Sequence, residues 1–402
     1  MKIKLPKIKK LRLGKLLSTE LLIKLVAIIV LCVIGFLIYQ HINKLQKNLT
    51  DTQESQRTAE IYLQEIGSEL EGLKSRDEYN TNLKLEEEIK NIQKNYNSAV
   101  SVYENLLELK EKTDKTDVMD ELFTDALVYL SERNYASAST TLKSLGNQIT
   151  EKEKRIAATF KIPENIIQSS SPPASGYSRQ SVKTNVGTFL VSIIAADISS
   201  TKIIVDTASD SDCGNDCPVL PLATYVSRNG AFAGVNGSYF CPATYPSCAG
   251  KKNSYDLLAM NHKKTYFNSN NNIYSNNPAV IFGDNYIRFV NSASEWGRDT
   301  DPTGVLSNFP MLVFNKEIKF GGDDDPKKGS KGNRSFVANI GNTVYIGVVH
   351  SATVAESARV MNTLGMDNTM NLDSGGSTAL WSGGYKVGPG RNLPNVILFV
   401  RK

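Results

Sequence analysis

The stretch "NLDSGGSTAL", residues 371–380, sets one carboxylate, Asp373, between an apolar anchor and a pair of glycines. Glycine costs conformational entropy, so Gly375 and Gly376 point to unusual dihedrals or a close backbone approach. A glycine-rich turn also exposes peptide N–H groups, here those of Ser374, Gly375, Gly376 and Ser377, as a nest for an anion. Two further stretches put a polar residue beside an apolar strand: "GVNGSYF", residues 234–240, with Asn236, Gly237 and Ser238, and "GNRSFVANIGNTVYIGVV", residues 332–349, with Arg334. A planar guanidinium binds two oxygens of a phosphate or carboxylate at once. His350 follows the last stretch at a strand end, where an imidazole is a candidate acid or base. Each residue also has a plainer reading. Asp373 accepts N–H bonds in its own turn, Arg334 sits on a strand edge, and Asn236 fixes a loop.

The order of these motifs carries a resemblance. NGxxF, an arginine ahead of two strands around a Gly-Asn turn, a helix ending in "LG", then NLDxGGS and finally "RNLPNVIL" together resemble the phosphodiester glycosidase family over residues 180–402. Ser374 stands where the family usually has the first of three glycines, and NGSYF where NGGFF or NGGYF is common. The resemblance implies hydrolysis of a sugar linked through its anomeric oxygen to phosphate. It implies a catalytic set of Asp373, Arg334 and Asn236, to which His350 is added on its strand-end position alone, with substrate held by Gly237, Ser238, Ser374, Gly375, Gly376 and Ser377. The chemistry is consistent. A phosphate leaves with its own negative charge, so general-acid help matters less than for an ordinary glycoside. The site needs a cradle for the phosphate, which Arg334 and the glycine turn offer, and a carboxylate at the anomeric carbon, which Asp373 offers. A different class of function, a non-catalytic glycan-binding head, remains open. No cofactor and no metal are expected: "GGDDDPKKG", residues 321–329, lacks EF-hand spacing, and runs of aspartate in such loops are usually solvated.

The elements that position these residues divide the 402-residue chain, of formal charge +5, into several parts. Seven basic residues from Lys2 to Lys15 precede any acid, and "LLIKLVAIIVLCVIGFLIY", residues 21–39, follows them. About 20 apolar residues cross a bilayer core, and positive flanks stay in the cytoplasm. The expectation is a cytoplasmic tail over 1–20, an uncleaved single-pass helix over 21–39 and an extracellular remainder. No small-x-small cleavage site follows the apolar run. Next to a membrane span, the basic tail does not read as a nucleic-acid patch. Residues 42–160 contain almost no Gly or Pro. Leu85, Ile89, Ile92, Tyr96, Ala99, Tyr103 and Leu106 alternate at spacings of four and three, as do Leu63, Ile66, Leu70 and Leu73 upstream. Such seams suit a coiled coil and a homo-oligomer. "ALVYLSERNYASASTTLKSL", residues 126–145, reads as a helical hairpin turning at Asn134. This all-α region is expected to be a stalk, and no chemistry is assigned to it. A Ser/Pro linker over 161–181 leads to an α+β, strand-rich domain over 182–402, with one clear helix at 353–366 and a capping box of Thr353 and Glu356.

Cys32 falls in the apolar span, and the remaining cysteines, Cys213, Cys217, Cys241 and Cys248, crowd one region. An even count in an exported domain reads as two disulfides. No histidine lies among them, which disfavours zinc. Three pairings are possible, and two local loops, Cys213–Cys217 and Cys241–Cys248, are the expectation. Alkylation of the denatured protein without reductant, followed by mass spectrometry, should leave all four unlabelled. Labelling at Cys213 or Cys217 contradicts the assignment.

Overall fold

A computed structural model describes residues 19–298 and 301–402; most of the basic N-terminal tail lies outside the described residues. Helix α1 runs from Thr19 to Lys74 and α2 from Asp77 to Lys110. The apolar part of α1 reaches a mean hydropathy of 2.5 over an 18-residue window, long and apolar enough to cross a membrane. Among the described residues, those up to Lys90 form one compact unit and those from Asn91 another.

In the second unit, α2 packs on α3 (Asp117–Ser131) and α4 (Tyr135–Thr159). The hairpin forms where the sequence places it. Ala126, Leu130, Ala138, Leu142 and Leu145 are all buried. Asn134 caps α4 by accepting the Ser137 N–H at 3.2 Å, which satisfies one of the donors a helix start leaves open. The heptad seam splits. Ala99 and Leu106 bury themselves against α3 and α4 of the same chain, whereas Leu85 and Ile89 are exposed. Fully burying such a side chain is worth about 1.5–3 kcal/mol, so the downstream half of the seam closes a three-helix packing within one chain.

The rest of the unit is three antiparallel sheets. The first orders its strands as Gly176–Thr184, Gly187–Asp197, Thr343–Ala352, Gly332–Ile340, Asn368–Asn371, Met311–Phe314 and Glu317–Ile318. The second runs Tyr385–Val387, Leu380–Ser382, Ala233–Asn236, Asn395–Arg401 and Thr201–Thr207. The third is built from five short strands between Ala259 and Ser307. The first strand begins at Gly176, inside the stretch read as linker. Its Gly176–Thr184 register on Gly187–Asp197 gives those polar residues a full ladder, which their Ser-rich composition conceals. Ile194, Val337 and Ile346 of the first sheet share a core with Val205, Val235 and Ile397 of the second and Val280 of the third. On the other face of the first sheet lies the helix Val354–Thr363, presenting Val354, Ala358, Val360 and Met361. Its capping box is complete: Thr353 accepts the Glu356 N–H at 3.1 Å, and Glu356 accepts the Thr353 N–H at 2.7 Å.

The two central strands leave no room for a side chain at Gly347. A Cβ there would collide with the Ser192 carbonyl and the Phe336 ring. Gly347→Ala should therefore lower the urea midpoint by the equivalent of about 1–3 kcal/mol. An unchanged midpoint would show that the sheet relaxes freely at this crossing.

Candidate active site

Both sheets converge on Asp373. The strand Asn368–Asn371 belongs to the first sheet, and just beyond it Leu372 donates its N–H to the Ser335 carbonyl at 2.9 Å. One residue on, Asp373 donates its N–H to the Gly237 carbonyl at 3.0 Å, beside the second sheet. Asn236 ties the two together. Its amide nitrogen donates to the Asp373 carbonyl at 2.7 Å, and its oxygen accepts from the Ser335 hydroxyl at 2.7 Å and the Ala379 N–H at 3.1 Å. The chain then turns through Gly375, at φ +64°, a conformation that favours glycine, into a short 3₁₀ turn, Gly375–Ser377. Arg391, in the "RNLPNVIL" motif, donates its backbone N–H to the Gly376 carbonyl at 2.7 Å, which holds its side chain against the same turn.

This loop forms one wall of a cavity of about 1130 Å³. Asp373, Ser374, Gly375, Gly376, Ser377, Arg334 and Arg391 line it. Tyr239 and Phe309, with ring centroids 5.0 Å apart, add an aromatic surface. The Cys241–Cys248 disulfide loop contributes Tyr245; the second disulfide is Cys213–Cys217, so both expected local pairs form. The remaining wall is helical. Glu104 and Glu108 of α2 and Glu111 just after it face the cavity, as do Ile156 and Ala157 of α4 and Phe160 just after it. Glu104 accepts the Ser247 N–H at 3.0 Å, Glu108 accepts the Tyr245 hydroxyl at 2.6 Å and pairs with Lys327 at 3.2 Å, and Glu111 pairs with Arg391 at 2.6 Å.

The sequence-based site residues separate into two groups. Asp373, Arg334, Ser374, Gly375, Gly376 and Ser377 come together at the cavity. Asn236 is fully buried beneath it and spends its amide on two backbone groups and the Ser335 hydroxyl, which makes it a positioning residue. Gly237 and Ser238 do not line the cavity: a Cβ on Gly237 would strike Asn395, and Ser238 donates its N–H to the Asn395 side chain at 2.9 Å. His350 does not line the cavity either: it lies behind Phe160, with ring centroids 6.3 Å apart, and its Nε2 is 2.9 Å from the Ser192 hydroxyl. Burial, helped by Arg179, pushes its pKa down to about 4, so it is neutral at pH 7. Arg334 reaches the cavity with much of its fork occupied. Its Nε donates to the Ala352 carbonyl at 3.0 Å and one Nη to the carbonyls of Lys327 (2.9 Å) and Ser330. It braces the loop over residues 325–331 as well as facing the cavity. The aspartates of "GGDDDPKKG" are taken up locally: Asp323 pairs with Lys328, and Asp325 caps the short helix Pro326–Gly329.

Residues absent from the sequence-based set are Arg391, Tyr239, Tyr245, Glu108 and Glu111. Arg391 was visible in the motif leading to the last strand. Glu104, Glu108 and Glu111 follow one another by four and three positions, one face of a helix, but a charged helix face is usually just solvated. The helical region, to which the sequence assigned no chemistry, therefore supplies part of the cavity wall.

Enclosure raises the Asp373 pKa to about 6; hydrogen bonds from Ser377 and Ser374 and the charge of Arg391 pull the other way. A carboxyl poised there is ionised at neutral pH yet basic enough to take a proton.

The fold and this cavity define a strand-rich, antiparallel domain with one enclosed site. Residues 229–400, in the C-terminal part of the chain, match the family model described as phosphodiester glycosidase. Among solved structures, a hypothetical protein from Synechocystis aligns at 13% identity and TM-score 0.44, over 56% of this chain and 62% of its own. The catalytic domain of zebrafish N-acetylglucosamine-1-phosphodiester alpha-N-acetylglucosaminidase, auto-inhibited by its pro-peptide, aligns at 13% identity and TM-score 0.44, over 59% of this chain and 87% of its own. No curated protein sequence matches the chain.

The raised pKa has a thermodynamic consequence. An aspartate in the unfolded chain titrates near about 4, so between about 4 and about 6 the folded chain holds more protons than the unfolded one. Stability from this group is greatest below that window and falls as pH rises through it. Asp373→Asn should melt with the wild type below pH 4 and at a higher temperature than wild type above pH 6. A melting difference that does not vary with pH would mean the carboxyl titrates normally.

Proposed function

We propose that this chain is a membrane-anchored extracellular hydrolase that cleaves a sugar-1-phosphodiester bond in an envelope glycan or exopolysaccharide. The observation that carries the reading is the meeting of Asp373, the Gly375–Ser377 turn and the Arg391 guanidinium at one cavity wall, in a domain whose residues 229–400 match the phosphodiester glycosidase family. In this mechanism the phosphate rests on the glycine turn, where peptide N–H groups and Arg391, assisted by Arg334, balance its charge. The sugar ring lies against Tyr239 and Phe309, since aromatic faces suit the apolar faces of a pyranose. Asp373 accepts a proton from a water whose oxygen bonds to the anomeric carbon. The bond from that carbon to the phosphate oxygen breaks, and the electron pair leaves with the phosphomonoester. The leaving group is a stable anion, so no strong acid is needed on its side.

Asp373→Asn keeps the size and loses the base. Turnover of a sugar-1-phosphodiester should fall by about 10²–10⁴-fold, the usual contribution of a general base. For the wild type, kcat/KM should rise with pH and level off above about 6, where Asp373 becomes ionised. A folded Asp373→Asn protein that turns over at the wild-type rate sinks the mechanism and favours a glycan-binding head without catalysis.

The anchor is the apolar part of α1, with the basic residues before it held in the cytoplasm. The disulfides fit an oxidising compartment outside. Leu63, Ile66, Leu70 and Leu73 are exposed on α1 at heptad spacing, and a second copy anchored in the same direction would bury them as a parallel coiled coil. Protease added to intact cells should release the domain. A domain that is protected until lysis overturns the orientation.

A further inference from the structure

The glycine turn that receives the phosphate in this reading already holds an anion. A Cβ built on Gly376 would collide with the Glu111 carboxylate and the Arg391 guanidinium. The carboxylate thus lies directly on the glycine whose missing side chain opens the turn to a ligand. Arg391 donates to Glu111 at 2.6 Å while its own backbone N–H is fastened to the Gly376 carbonyl. Glu111 comes from the loop start after α2, not from the glycosidase-family domain, and is brought there by its helical neighbours. Glu104, buried, holds the Ser247 N–H, and Glu108 holds the Tyr245 hydroxyl and Lys327. Those two contacts fix the helix on the disulfide loop; Glu111 alone reaches the turn.

We propose that Glu111 is a specificity-determining residue: it stands in for the substrate's phosphate on the Gly376 turn, and an entering phosphate must exchange with it on Arg391. The inference rests on the phosphodiester reading of the site. Its logic is charge balance. Arg391 is mostly buried, with 19% of its side chain exposed, and needs a counter-ion whether or not substrate is present. Glu111 is 40% exposed, so its carboxylate can swing to water with much of its solvation intact. A phosphate offers more acceptor oxygens to the guanidinium fork and to the peptide N–H groups than the carboxylate does. A neutral glycoside offers no charge to Arg391 and gains nothing by displacing Glu111. The pair therefore selects substrates that carry an anion at the aglycone side, and it closes the turn when none is bound.

The test is binding of inorganic phosphate to the detergent-solubilised full-length protein by titration calorimetry at neutral pH. Removing a like charge next to the bound anion should tighten phosphate binding by about tenfold in Glu111→Gln and in Glu111→Ala. Arg391→Ala should abolish it. Glu104→Gln is the control for docking: it weakens the helix contact and leaves Arg391 with its partner. Equal or weaker phosphate binding in both Glu111 variants overturns the proposal. So does equal tightening in Glu104→Gln, which would assign the effect to loosened docking. Thermal melting of each variant guards against unfolding, and the Glu111→Ala and Glu111→Gln pair keeps the test in force if one of them fails to fold. The measurement does not depend on turnover. Phosphate that binds as expected to a protein that hydrolyses no sugar-1-phosphodiester refutes the reaction and leaves the anion exchange standing.

Discussion

The architecture of the site depends on one buried amide. Asn236 lies at the end of a strand of the second sheet, with none of its surface exposed, and the three hydrogen bonds of its side chain reach other segments: Asp373, Ser335 and Ala379. A buried amide left without partners is costly, so the sheets are held at the separation that satisfies it. That separation also sets the carbonyl of Asp373, and through it the start of the glycine turn. Leu372, fully buried in the core shared by the sheets, holds the same point from the apolar side. The carboxylate is therefore placed by rigid strands and not by a loop of its own choosing, which is what chemistry at a fixed atom requires.

Around that fixed point the cavity is composite. The strand Gly332–Ile340 supplies Arg334, the turn after Asn368–Asn371 supplies Asp373, the segment before the last strand supplies Arg391, and the disulfide loop supplies Tyr245. The end of α2 and the turn after it supply three carboxylates. Cations and anions alternate across this seam, in the pairs Glu108–Lys327 and Glu111–Arg391. Pairing lets a confined space hold many charges, because an unpaired one would be expensive to desolvate. It also lowers the barrier to ligand exchange, since an incoming anion replaces one partner and does not meet a bare cation.

The contrast between Asp373 and His350 shows how the same force assigns opposite roles. Burial disfavours the charged form of each. For the carboxyl this raises the pKa to about 6 and makes it a usable base. For the imidazole it lowers the pKa to about 4 and leaves a neutral ring bonded to Ser192. His350 reads from the sequence as a strand-end imidazole, but the strand Thr343–Ala352 continues past it. Alternation along that strand sends Ser351, not His350, to the cavity.

Local physics was enough to read several features from the sequence alone. The hairpin around Asn134, the capping box of Thr353 and Glu356, the turn at Gly341 and the two short disulfide loops each depend on residues close in the chain. Asp373 and the glycines after it were legible for the same reason, since a carboxylate, two glycines and flanking apolar anchors form a unit within ten residues. Other features depended on long-range approach. Gly237 looked like a ligand-facing glycine, yet its missing side chain makes room for Asn395. Gly376 has the same composition nearby and faces Glu111 and Arg391 instead. Arg334 and Arg391 could not be ranked from spacing, because the carbonyls that occupy Arg334 belong to Ala352, Lys327 and Ser330, brought there only by strand pairing and a folded-back loop. The helical carboxylates are the clearest case. Their spacing of four and three marks one face of α2 in the sequence, but a solvated face and a docked face have the same spacing. Only the packing of that helix, more than two hundred residues ahead of the glycine turn in the chain, decides between them.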